Sequence, residues 1–60
     1  MPSPVRFAVV KTLLETKGYM LKRIEGSHHI FVKPGVRPQS IPVHHNQVLY
    51  VYYRKAQKAP

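Results

Sequence analysis

Apolar residues recur at helical spacing near the start of the chain. Val5, Val9 and Leu13 fall on one face with Val10 and Leu14 beside them, and Arg6, Lys11, Glu15 and Lys17 fall largely on the other. Ser3-Pro4 ahead of this run supplies a capping hydroxyl and a proline at the first helical position, and Gly18 stands where a left-handed residue ends a helix. From Tyr19 to Ile24 the composition turns to strand: Lys22 and Ile24 fit alternation, while Met20 and Leu21 compete for the inward face. Glu25-Gly26-Ser27 predicts a short reversal, with glycine supplying a positive φ, and His28 to Lys33 predicts the return strand. Pro34-Gly35 ends it, and Arg37-Pro38 extends the loop. A third strand is expected at Gln39 to Val43, on an edge because Pro42 has no amide to donate.

His44-His45-Asn46 reads as a polar turn. Gln47 to Ala59 reads as a second helix, with Leu49, Tyr52 (or Tyr53) and Ala56 one turn apart, although Val48, Val51 and the tyrosines also suit a strand. Helix, three-stranded meander, helix is the simplest reading. It is an α+β two-layer sandwich with both helices on one face of an antiparallel sheet.

Sixty residues, 1–60, make one small domain with a thin core. Cysteine is absent, which excludes disulfides and thiolate zinc sites and makes a stabilising protein partner more attractive. Ten Lys and Arg face only Glu15 and Glu25, for a net charge of +8. Such an imbalance suits nucleic acid, an anionic surface or an acidic protein. No apolar run has the length of a membrane span and the N-terminus lacks a signal-peptide core, so a soluble cytoplasmic protein with no membrane association is expected.

Against that background Gly26-Ser27-His28-His29 stands out, because a glycine turn delivers two imidazoles onto the start of a strand. An unperturbed imidazole titrates at about 6.5 and exchanges protons near neutral pH. Strand alternation puts His28 with Ile30 and Val32, and His29 with Phe31 and Lys33, which makes His29 the more exposed of the two unless the turn rotates the first residue of the strand outwards. Either His28 or His29 is a candidate catalytic group; the competing reading for each is an ordinary sheet-end histidine. Adjacent histidines rarely share a metal ion and Asp is absent, so neither metal nor other cofactor is expected.

His44 and His45 form a second pair, His44 the better candidate, since cleaving RNA uses one group to deprotonate the 2′-hydroxyl and another to protonate the leaving oxygen. Gly26 and Ser27 offer a turn amide and hydroxyl to a phosphate oxygen, and Lys22, Arg23, Lys33 and Arg37 lie on or near the hairpin and its exit loop. Arg54, Lys55 and Lys58 cluster in the tail, where Tyr50, Tyr52 and Tyr53 suit core packing better than base stacking.

Lys17-Gly18-Tyr19, the strand Leu21-Lys22-Arg23-Ile24, the segment Gly26-Ser27-His28-His29-Ile30-Phe31 and Ile41-Pro42-Val43-His44 together resemble the HicA toxin family. These are small mRNA-cleaving proteins of bacterial toxin–antitoxin pairs. The resemblance covers roughly the first three quarters of the chain. It implies a double-stranded-RNA-binding-domain-like fold, α-β-β-β-α, ribonuclease activity without a metal, and a HicB-type antitoxin that covers the active surface. It also implies that the functional histidine is in the Gly-Ser-His segment, which transfers to His28 or His29 with Gly26 as the positioning turn. After His44 the chain departs from the family's pattern: Gln47 to Pro60 has no Gly-Thr-Leu turn and is rich in tyrosine. The expected function is that of a type II toxin, a metal-independent mRNA endoribonuclease. The alternative is a non-catalytic RNA-binding module on the same fold.

Overall fold

The first helix, α1, spans Phe7–Thr16, three residues later than the Ser3-Pro4 start expected from the sequence. In the computed structural model, which describes residues 3–60, Val5–Arg6 form a short strand, β1, instead. Strand β1 pairs antiparallel with β5 (Gln47–Val48), Val5 opposite Val48 and Arg6 opposite Gln47. The Phe7 amide donates to the Asn46 carbonyl at 2.8 Å. Backbone groups that a Ser3 cap would have served are therefore spent on strand pairing, and extended Arg6 becomes the N-cap with no side-chain hydrogen bond.

The end of α1 is as expected. Gly18 takes φ +96°, the Tyr19 amide donates to Leu14 at 3.0 Å and the Gly18 amide to Glu15 at 3.0 Å. That pair of bonds is a Schellman motif, and the accompanying apolar contact comes from Leu14 and Tyr19, both buried.

Three strands form the main sheet: β2 (Met20–Glu25), β3 (His28–Val32) and β4 (Gln39–Pro42), antiparallel in the order β2-β3-β4. Only Gly26 and Ser27 separate the paired residues Glu25 and His28, and Gly26 carries the positive φ of +60° that such a turn requires. The register shifts between Leu21 and Arg23, leaving Lys22 as the extra residue of a bulge. This settles the competition in β2: Leu21 pairs with buried Phe31, and Met20 pairs with Val32 and stays 71% exposed. Strand β4 lies on the edge, where Pro42 leaves no ladder bond unmade.

The tail satisfies both readings in turn. Val48 is a buried strand residue, and Tyr50–Lys58 form the second helix, α2. His44 and Gln47 exchange backbone bonds across His45 and Asn46, both at positive φ (+52° and +61°), a turn that His and Asn tolerate better than most residues. Leu49 precedes α2 and is 59% exposed, so it does not join the apolar face with Ala56. Val10, Leu14, Tyr19, Phe31, Ile41, Val48 and Ala56 make the core, with Tyr52 and Tyr53 packed at its margin. The α-β-β-β-α order is thus present, with the β1–β5 ribbon added to it.

Candidate functional site

The direction of each β3 side chain decides which histidine is available. Phe31 and its partners Leu21 and Gln39 face the helices, as does Ile41 opposite His29. His29 shares that inner face: its ring lies 4.6 Å from the Phe7 ring and it is half-buried. His28, Ile30 and Val32 face the open side of the sheet, and His28 is exposed. The sequence expectation that His29 is the more exposed is therefore reversed. Alternation itself holds; what misleads is Lys33. Its stem passes within contact distance of Gly18, its ammonium sits 5.6 Å from the Tyr19 ring centroid, and it donates to the Pro60 carbonyl at 3.2 Å. A lysine can lie along a protein surface with only its head in water, so it does not mark the solvent face.

His28 begins β3, directly after the Gly26-Ser27 turn. Its Nδ1 lies 3.2 Å from Ser40 Oγ on β4, and Nε2 has no partner among the described residues. The turn is fixed from the other side as well, since the Ser27 carbonyl accepts from the Val43 amide at 2.7 Å and is 3.4 Å from His29 Nδ1. Glu25 is the cross-strand partner of His28, and its carboxylate is ion-paired with Arg23. Ser40 and Glu25 are neighbours that the sequence reading missed. A two-residue turn already implies the Glu25–His28 pairing, and buried Ile41 implies that Ser40 faces outward.

The other candidates divide between the two ends of the sheet. Exposed Lys22 sits on the bulge and Arg23 opposite Ile30, both on the strand next to His28. His44 follows Pro42, the β4 partner of His28, and is exposed at the same end. It lines a shallow depression with Pro42, Val48, Leu49 and Tyr52. No hydrogen bond joins His44 to His28 among the described residues. Lys33 and Arg37 lie past the far end of β3, with Lys33 about 16 Å from His28 at the usual strand rise. Lys33 is further engaged by Tyr19 and Pro60. No group of three metal-ligating side chains converges among the described residues.

The glycine-ended first helix, the tight Gly26-Ser27 turn with His28 after it, and the three-stranded sheet all lie in the part of the chain that a comparison with known families matches. No curated protein and no solved structure matches the chain. The family model described as the HicA toxin of bacterial toxin–antitoxin matches residues 8–56, from the first turn of α1 to the buried Ala56 of α2, and so runs on into the tyrosine-rich tail. With most of its length inside that match, the chain belongs to the HicA toxin family.

Proposed function

We propose that the protein is a metal-independent endoribonuclease that acts on mRNA, with His28 as its proton-transfer group. The observation that carries this reading is the setting of His28: exposed at the sheet end, with Nδ1 engaged by Ser40 and Nε2 without a partner among the described residues. In the reaction the 2′-oxygen of a ribose attacks the adjacent phosphorus and the bond from phosphorus to the 5′-oxygen breaks. One group takes the 2′-hydroxyl proton and another protonates the departing 5′-oxygen, and the products are a 2′,3′-cyclic phosphate and a 5′-hydroxyl. His28 performs one of these transfers. His29, turned inward against Phe7, supports the turn rather than the chemistry. Lys22, Arg23, His44 and the Gly26-Ser27 turn bind the phosphate and stabilise the charge that develops on it, while Lys33 and Arg37 contact RNA further along.

Among the described residues nothing forms a second layer over the outer sheet face, where Met20, Ile30, Val32 and Pro42 lie with His28. A HicB-type antitoxin that covers this face would bury apolar surface and block the histidine in one step. On this reading the protein works in the cytoplasm, where mRNA lies; no helix among the described residues is long and apolar enough to cross a membrane. The test is cleavage of an mRNA by wild type and H28A, with and without EDTA. The proposal expects wild-type cleavage that survives the chelator and a loss of about 10²–10⁴-fold in H28A. Salt-sensitive RNA binding with no cleavage by wild type would establish the non-catalytic module instead.

A further inference from the structure

We propose that the solvent face of α2 is a second phosphate-binding surface for RNA, on the opposite side of the sandwich from His28. Val51, Arg54, Lys55 and Lys58 stand at i, i+3, i+4 and i+7, which places them on one face of the helix. All four are exposed, and with Tyr52 they line a shallow groove. None of the three cations has a hydrogen bond or ion pair among the described residues. The two acidic side chains of the sequence are engaged elsewhere, Glu15 with Lys11 at 3.8 Å and Glu25 with Arg23.

Cations in a last turn ordinarily serve the helix itself, by meeting its free carbonyls and the negative end of its dipole. Here that work is done by other groups. Lys17 Nζ, from the end of α1, donates to the carbonyls of Gln57 and Ala59, and the Ala59 amide caps the Ala56 carbonyl. Arg54, Lys55 and Lys58 are left without an internal task.

The composition of the face favours RNA over a protein. Protein interfaces are anchored by buried aromatic and apolar side chains, and this face has one exposed apolar side chain, Val51, at 64%; Tyr52 reaches the groove edge while packing against the core. A phosphate backbone asks only for charge. Arg54 and Lys58 lie one turn apart, about 6 Å along the axis, which suits contact with successive phosphates. Helices and open sheet face lie on opposite layers, so a short RNA held at His28 need not reach Arg54, Lys55 and Lys58. A longer strand can.

This inference deepens the RNA reading above but does not depend on cleavage. Its test measures binding of 2′-O-methyl RNA, which lacks the attacking hydroxyl, by the full chain as a function of salt. Each phosphate contact on a single strand contributes about 0.7 to the slope of log K against log salt. The R54Q/K55Q/K58Q variant should lose about 2 from that slope and bind roughly 100-fold more weakly at 0.1 M salt. A tetranucleotide, held at the sheet alone, should bind wild type and variant equally. The charge-keeping variant R54K/K55R/K58R and the α1 variant K11Q should both retain the wild-type slope. A triple glutamine variant with an unchanged slope overturns the proposal, including when it weakens an antitoxin complex, since α2 would then be a protein-docking face. No salt-dependent binding by wild type would instead remove the RNA reading as a whole.

Discussion

Ser40 Oγ and His28 Nδ1 meet at 3.2 Å across neighbouring strands, a diagonal pair one step from the direct pairing of His28 with Pro42. Diagonal neighbours in an antiparallel sheet are within side-chain reach, so the strand register fixes this contact. Its consequence is orientation: an imidazole engaged at Nδ1 presents Nε2 to whatever lies on the open face. Ser40→Ala should therefore lower kcat for RNA cleavage about tenfold, a loss of about 1.4 kcal/mol, with KM nearly unchanged. Ser40→Thr keeps the hydroxyl and should recover most of the rate. Wild-type kcat in the alanine variant would show that Ser40 positions nothing.

The two histidines should separate by readout. His28 is exposed on the open sheet face, so H28A should melt with wild type while losing cleavage. His29→Ala removes a ring packed on Phe7, whose own ring lies 6.2 Å from Phe31. An aromatic pair contributes about 0.5–1.5 kcal/mol beyond its buried area, and in so small a domain 1 kcal/mol moves Tm by about 4–8 °C. H29A should thus melt several degrees lower yet cleave within a few fold of wild type at a temperature where it is folded. A folded H29A without cleavage would move the chemistry to His29.

Most of the frame was legible because local signals and tertiary demands agreed. Gly18 ends α1, Gly26 makes the hairpin and Pro42 sits on an edge, each through a backbone property that its residue type dictates. The failures come where a distant segment intervened. Ser3-Pro4 carries a sound helix start, but pairing of Val5 with Val48, more than forty residues away, displaced it. The exposure of His29 was misjudged because Lys33 was weighed as a solvent marker, whereas Phe31, the largest apolar side chain on β3, marks the core. Alternation with Ile41 turns Ser40 outward, but its place beside His28 depends on the β3–β4 register, which is a tertiary fact.

Tyr19 raises a separate question of stability. Its side chain is 1% exposed, and its hydroxyl is buried without a hydrogen-bond partner among the described residues. A buried polar group left unpaired costs about 1–3 kcal/mol, whereas the ring keeps its packing and its contact with the Lys33 ammonium. Tyr19→Phe should therefore leave the fold intact and raise stability by about 1 kcal/mol in chemical denaturation. A clear loss of stability would mean that the hydroxyl has a partner in solution, such as an ordered water.

Lys17 supplies the last test, because it ties the end of α1 to the end of α2. Its ammonium donates to Ala59 at 2.7 Å and also to the Gln57 carbonyl, a link across forty residues of sequence. Hydrogen bonds from a charged donor are stronger than neutral ones, but the Gln57 bond is exposed, so the pair together should contribute about 1–2 kcal/mol. Lys17→Met keeps the aliphatic stem and deletes the donor. Amide exchange in the last turn of α2 should then speed up about tenfold while the β2–β3 amides keep their protection, since the loss is confined to one helix end. Lys17→Arg should restore it. If α2 were equally protected in K17M, its last turn would have to be capped by Lys55 or Lys58, and those residues would no longer be free for phosphate.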